Sequence, residues 1–264
     1  MAGRTAFLMY HEIERPGVAT LERGRGYLRY VLNVADFRAQ MEALRRAGWT
    51  ATTVGAALAA GEDPGRRVVL TFDDGTVTDR LVAAPVLKEN GLGATFYVVA
   101  GFLGRRGYLS TAQLRELAGL GFEIGSHSMT HRLLSDLDPA ALRHEIVDSR
   151  DRLQEALGTA VHHFACPGGR VSPAVVRLAK EAGYRSVATS QAGLNDGATD
   201  PFALRRIAVH RGTSAEQVRR LCEGRGLALR RARSGVLDAL KTVMGNRRYD
   251  RVRTTLMDLG PLRG

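Results

Sequence analysis

Only two of the 264 residues are cysteine, Cys166 and Cys222. That rules out a disulfide framework, and both are read as reduced thiols, Cys166 either near a pocket or as a small core residue. No run of eighteen or more apolar residues occurs, so no segment reads as a membrane-spanning helix. Met1-Ala2-Gly3-Arg4 leads straight into a strand-like run, which leaves no room for an apolar leader and its cleavage site. The expectation is a cytoplasmic chain, at most peripheral at the inner membrane face. There is no internal repeat and no DNA- or RNA-binding motif, and the one low-complexity stretch, Ala56-Ala57-Leu58-Ala59-Ala60, reads as a short helix.

Apolar residues make up 44% of the chain, enough at this length for the core of one α/β barrel. Strand and helix signals alternate, which favours parallel strands joined by helical crossovers. Strands are predicted at 5–10, 67–72, 94–99, 122–126, 161–165, 185–189 and 205–210. Between them Phe37, Met41 and Leu44 recur at helical spacing up to Gly48, and Ser110 opens a helix carrying Leu114 and Leu117. Asp138-Pro139 supplies an N-cap and a first-turn proline for a long helix that reaches Leu157 and is closed by Gly158. Ser172-Pro173 repeats that arrangement, and Ser214 with Gln217 makes a capping box.

Two short motifs carry the chemistry. Thr71-Phe72-Asp73-Asp74-Gly75 ends the β-rich run Arg67-Val68-Val69-Leu70, and Ser126-His127-Ser128-Met129-Thr130-His131 follows Phe122-Glu123-Ile124-Gly125. The first sets two adjacent carboxylates at the carboxyl end of a strand; the second sets two imidazoles four residues apart after another. Each has an ordinary reading by itself, since Asp-Asp-Gly is a common turn and histidines at i and i+4 decorate many surfaces. In this order, each directly after a strand, they make an Asp-His-His set that can hold a metal ion and leave one acid free. Metal-assisted hydrolysis needs that combination.

At these motifs the chain resembles the polysaccharide deacetylases, the NodB-homology group of carbohydrate esterase family four, over about residues 7–222. Met9-Tyr10-His11-Glu12-Ile13 is similar to the opening strand of the poly-N-acetylglucosamine deacetylase branch. The resemblance implies a distorted (β/α)7 barrel over residues 1–223 and a divalent metal, usually Zn2+, with Co2+, Ni2+, Fe2+ or Mn2+ as alternatives. It also implies removal of an N- or O-acetyl group from an acetylated sugar or glycan, with Asp73 as catalytic base and Asp74, His127 and His131 as metal ligands. The family's third motif, R-x-P-[FY]-G, falls on Ala165-Cys166-Pro167-Gly168-Gly169. The arginine that steadies the base and the aromatic groove residue are therefore both missing, and Arg170 and Arg206 are the two candidates for the lost cation. Pro167 and Gly168 keep the place of the oxyanion contact, with Gly168 supplying the backbone N–H. The fifth motif has an approximate counterpart in Ile207-Ala208-Val209-His210, which makes His210 either the acid that protonates the leaving amine or a structural histidine. His11, at the end of the first strand, either contacts substrate or packs. The fourth motif has no clear match, Asn195 and Asp196 being its nearest candidates.

Residues 224–264 carry ten Lys or Arg against three Asp or Glu, a net +7 of the chain's +11. Val236, Leu237, Leu240 and Val243 fall near helical spacing beside Arg230, Arg231, Arg233 and Lys241. The pattern is that of a basic helical tail lying on an anionic membrane surface, where it would meet a lipid-linked intermediate; a solvated helical face is the plainer alternative. The tail's arginines have only Tyr249 for aromatic company, which argues against nucleic acid. Two further functions stay open: a deformylase or amidohydrolase acting on a non-polysaccharide or lipid-linked substrate, and a carbohydrate-binding pseudoenzyme, the latter opposed by the complete metal set and base.

Overall fold

The apolar run at the start of the chain forms β1 (Thr5–Tyr10), whose partner is β3 (Arg67–Phe72), parallel and in register from Ala6↔Val68 to Tyr10↔Phe72. The computed structural model describes residues 3–18, 20–60 and 65–227; most of the basic tail, with its expected interfacial helix, lies outside them. Beyond β3 come β4 (Thr95–Val98), β5 (Glu123–Ser126), β6 (His163–Ala165) and β7 (Ser186–Ala188), each parallel to the last. The final predicted strand and the residue just before it reach two different neighbours. Leu204 bridges to Ala188 of β7, while Ile207 and Ala208, forming β9 (Ile207–Ala208), pair with β1. The two sides of the curled sheet meet there, as a distorted (β/α)7 barrel requires. The strands absent from the prediction are β2 (Thr50–Thr52), parallel to β3, and β8 (Leu194–Asn195), antiparallel to β1. Two or three residues show no alternation for a sequence to reveal.

Successive strand residues face opposite ways, and the core divides accordingly. Leu8, Leu70, Phe72, Phe96, Val98 and Phe164 join the large core under the helices, with Phe37, Met41, Leu44, Leu114 and Leu117. Phe7, Val69, Tyr97, Ala165, Ala188 and Leu204 form a smaller cluster with Val54. Thr71 and Asp73 continue the alternation of Val69, as His127 continues that of Glu123 and Gly125. The pleat thus carries both motifs onto the face of the smaller cluster. At the amino ends of the strands, the helix Val54–Ala59 is fastened by Thr95 Oγ1, which accepts the Val54 N–H at 2.9 Å, and by Glu123, which accepts the Gly55 N–H at 3.1 Å.

The predicted caps form. Ser110 with Gln113 and Ser214 with Gln217 make complete capping boxes, and Asp138 and Ser172 accept from Ala141 N and Val175 N. The long helix runs from Pro139 to Leu157 and stops at Gly158, φ +74°. Within it His144–Asp148 is a π turn, which no residue pattern in the sequence marks. No helix among the described residues is long and apolar enough to cross a membrane.

Gly125 is required by the ring opposite it: a Cβ there would lie 2.5 and 2.6 Å from Tyr97 ring carbons and 2.9 Å from the His163 carbonyl oxygen. Gly125→Ala is expected to destabilise the fold by about 1–3 kcal/mol, the usual cost of overpacking, and to lower Tm in thermal unfolding. An unchanged Tm would mean that Tyr97 does not fill the space over β5.

Candidate metal centre

Asp73 leaves β3 with its N–H bonded to Tyr10 O at 3.0 Å, and the chain then turns through two left-handed residues, Asp74 (φ +81°) and Gly75 (φ +72°). Gly75 is irreplaceable on two counts, since a Cβ would also meet Val98 at 2.8 Å. This turn gives the adjacent carboxylates different partners. Asp73 meets Arg206, whose guanidinium binds it through both oxygens at 2.6 and 2.8 Å. Arg206 also donates to Thr71 Oγ1 at 3.3 Å and Thr189 O at 2.9 Å, and lies 5.4 Å from the Tyr97 ring centre. Both members of the pair are buried, at 2% and 1% exposure. Burial alone would raise the Asp73 pKa, but the charge and hydrogen bonds of Arg206, with help from His127, outweigh it and hold the carboxyl below its usual range. Asp73 is a carboxylate near neutral pH.

Asp74 meets the histidines. Its Oδ1 lies 3.3 Å from His131 Nε2 and 3.6 Å from His127 Nε2, and the three ligand atoms fall within 4.8 Å of one another. Desolvation of the partly buried Asp74 would raise its pKa, but its neighbours His131, His11 and His127 pull it well below the carboxylate range. That Oδ1 is itself buried and makes no hydrogen bond among the described residues. A buried acceptor is expensive to leave without a partner, and a cation shared with two imidazoles would satisfy it. His127 Nδ1 sits 2.8 Å from Ala165 O and so carries the proton, which leaves the Nε2 lone pair facing Asp74. Burial pushes the pKa of His127 down to about 4, so the ring is neutral and ready to bind a cation. For His131, burial also lowers the pKa, but Asp74 beside it outweighs that and raises it. The donor set therefore fits a divalent ion.

The other predicted residues are placed as follows. Of the two candidates for the lost cation it is Arg206 that pairs with Asp73, its guanidinium occupied by Asp73, Thr71 and Thr189; Arg170 lies half-buried after the Pro167–Gly169 turn. Gly168 and Gly169 both have positive φ, +64° and +68°, and Ser190 packs so close to Gly169 that no side chain fits. Cys166 is buried in the core, its thiol pushed up to about 12 by burial. His11 and His210 flank Tyr30, with ring centres 4.7 and 5.0 Å from it. Of the two, His11 is close enough to lower the pKa of both Asp73 and Asp74, and its buried Nδ1 has no hydrogen-bond partner among the described residues. Asn195 pairs with Thr5 at the far end of β1 and bonds the main chain of Arg205, a structural role away from the carboxylates. Asp196 is tied up in a turn with Thr199. The sequence reading missed the Ala165 and Thr189 carbonyls and the clamp from Glu145 described below. A carbonyl has no residue code, and Glu145 resembles any helical glutamate.

A family model described as polysaccharide deacetylase matches residues 60–187. Bacillus subtilis YxkH is 31% identical over 183 residues, 68% of this chain and 66% of YxkH. A Bacillus cereus peptidoglycan-N-acetylglucosamine deacetylase is 32% identical over 123 residues, 46% of this chain and 54% of that protein. The chain thus spans between half and two thirds of the length of these curated relatives. Among solved structures, the Streptococcus pyogenes deacetylase PplD in complex with acetate superposes with a TM-score of 0.73 at 26% identity, over 84% of this chain and 99% of that one. IcaB from Ammonifex degensii gives 0.71 at 25% identity, over 84% and 97%.

The Asp73–Arg206 pair makes a pH prediction for the metal-free chain. The folded pKa of Asp73 is depressed, so its contribution to stability is fully present above the unfolded value of about 4 and is lost as pH falls through the folded value. Asp73→Asn should flatten the acid limb of a stability-against-pH curve. Arg206→Met, which leaves Asp73 buried without its partner, should cost about 3–5 kcal/mol at neutral pH. Denaturant titrations between neutral and acid pH measure both; an Asp73→Asn curve parallel to wild type would remove Asp73 from the account.

Proposed function

The chain carries a polysaccharide deacetylase domain of the NodB type, carbohydrate esterase family four, and from that premise we propose that it hydrolyses the acetyl group of an acetylated carbohydrate. The observation that carries the reading is Asp73: a carboxylate kept ionised and oriented by Arg206, 3.9 Å from His127 at the edge of the three-ligand set. An N-acetylated amino sugar is the substrate class, by way of the B. cereus relative and a Bradyrhizobium chitooligosaccharide deacetylase that is 30% identical over 127 residues.

Asp74, His127 and His131 would hold a divalent ion, Zn2+ first among those that suit two imidazoles and a carboxylate. Such an ion supplies Lewis acidity, making water more acidic and drawing charge from an acyl carbonyl. Asp73 takes the proton from the attacking water as the water oxygen bonds to the acyl carbon. The Gly169 N–H is already given to Cys166 O at 2.8 Å, so the amide of Gly168 is the main-chain candidate for the developing oxyanion. His11 is the better placed of the two candidate acids, being beside the carboxylates, while His210 lies across Tyr30. A proton from His11 to the departing nitrogen lets the C–N bond break, giving the free amine and acetate.

Acetate release from N-acetylated chitooligosaccharides, measured together with bound metal, tests these roles. Asp73→Asn should keep about one ion per chain and lose roughly two to four orders of magnitude in turnover. His11→Asn should cost far more kcat than His210→Asn. Near-normal turnover of Asp73→Asn would move the base elsewhere, and the opposite order of the histidine variants would return the acid to His210. A wild-type chain that binds chitooligosaccharide without releasing acetate would instead be a carbohydrate-binding pseudoenzyme.

The basic tail fits the same proposal as an electrostatic tether to an anionic surface bearing a lipid-linked glycan. Leu227 belongs to the core, so the cut that spares the fold falls after it. Removal of residues 228–264 should abolish salt-sensitive sedimentation with anionic vesicles and leave hydrolysis of a small soluble substrate unchanged. Equal vesicle binding by both forms would make the tail an ordinary solvated segment.

A further inference from the structure

One buried carboxylate has no part in the chemistry above. Glu145 is 1% exposed and lies in the π turn His144–Asp148. The turn's end residues, His144 and Asp148, are exposed and bonded to each other at 2.8 Å, whereas Glu145 and Ile146 face inward. A π turn adds a residue to the helical register and so redirects side chains, which is why such turns recur at functional sites. The redirected carboxylate reaches the loop between the two histidine ligands. Its Oε2 accepts the N–H of Met129 at 3.0 Å and of Thr130 at 2.8 Å, and its Oε1 takes the Thr130 hydroxyl.

That loop departs from ordinary backbone geometry at both ends, Ser128 at φ +71° and His131 at φ +60°. Side chains other than glycine are strained there and stay only where the surroundings over-determine the chain. Ser128 Oγ accepts the His131 N–H at 3.0 Å, the Ser128 and Met129 carbonyls accept from the Ala100 and Gly101 N–H groups at 3.0 and 2.9 Å, and Glu145 takes the N–H groups of Met129 and Thr130. The two ligands are thus fixed in different ways. The His127 ring is buried and fixed through Nδ1 by the Ala165 carbonyl; the His131 side chain is 41% exposed and stands on a main chain that Glu145 holds.

We propose that Glu145 is a positioning residue of the metal centre, which sets the affinity for a divalent ion by clamping Met129 and Thr130 so that His131 faces Asp74. The proposal rests on the metal reading of Asp74, His127 and His131.

The test uses the full chain with Glu145→Gln, which keeps the size but not the charge; Thr130→Val, which removes only the hydroxyl; and Asp148→Asn on the exposed side of the same turn. Zn2+ affinity is read by chelator competition, and amide hydrogen exchange at Met129 and Thr130 is read in the metal-free chain. Glu145→Gln should weaken Zn2+ binding by about 10- to 100-fold, the usual effect of losing an outer partner of a ligand. Thr130→Val should weaken it less, and Asp148→Asn should match wild type. Exchange at the two amides should quicken in Glu145→Gln alone, and kcat at saturating Zn2+ should stay close to wild type. Unchanged affinity and unchanged exchange in Glu145→Gln would overturn the proposal, as would an equal loss in Asp148→Asn, which would mark a general weakening of the helix. If the wild-type chain takes up no Zn2+, the metal reading fails and the proposal fails with it; quickened exchange in Glu145→Gln would then assign the clamp to the loop alone.

Discussion

A guanidinium and a carboxylate, both out of water, grip each other through two hydrogen bonds between the end of β3 and the segment that closes the sheet, residues 133 apart. Neither charge is tolerable there alone, because desolvation of an unpaired ion costs more than any local packing returns. The pair therefore requires that Ile207 and Ala208 come home beside β1 and that Thr189 turn its carbonyl toward Arg206. It also requires something to lie against the guanidinium, and Tyr97 does so. Tyr97 in turn leaves room only for hydrogen at Gly125. An apparently idle glycine in β5 is in this way tied to the ionisation state of the base.

The mouth of the site shows how one dipeptide yields two different acids. Left-handed geometry at Asp74 and Gly75 swings the second carboxylate away from Arg206 and toward the imidazoles. Asp73 is neutralised by a permanent protein cation, which keeps it ionised and so able to accept a proton. Asp74 has histidines for company, one of them neutral by burial, and an oxygen that makes no hydrogen bond among the described residues. Such a group is completed by a cation. The division of labour comes from the turn, since the side chains are chemically identical.

At the opposite end of the strands a second polar cluster looks superficially reactive. Ser186 Oγ is 2.8 Å from His163 Nδ1, and His163 Nε2 is 3.5 Å from Glu123. Ser186 is completely buried, however, and Glu123 is engaged by Thr95 and by the main chain of the helix Val54–Ala59. Burial lowers the pKa of His163. The cluster fastens a helix where the sheet would otherwise lie open, and no substrate can reach the serine.

The seven strands, the caps and the two motifs of paired acids and paired histidines were legible because each is local. Alternating and helical periods, Ser or Asp before a helix, and paired acids or histidines after a strand all lie within a few residues of one another. The substitute for the missing third-motif arginine was legible only as a choice between Arg170 and Arg206. Two arginines look alike in a sequence, and which one enters the interior depends on how 204–208 divides its hydrogen bonds between β7 and β1. His11 was legible only as a substrate contact or a packing residue, and His210 as an acid or a structural histidine; that the two rings flank Tyr30 depends on a segment far from both in the chain. The clamp from Glu145 was invisible, since the π turn that aims it inward is a backbone event without a residue code. By itself the sequence determined the fold class and the reactive residue types, because those follow from local spacing. Only the tertiary structure decided which cation pairs with Asp73, which histidine stands beside the carboxylates and what holds the loop from His127 to His131, because each depends on groups far apart in the chain meeting in a space that water has left.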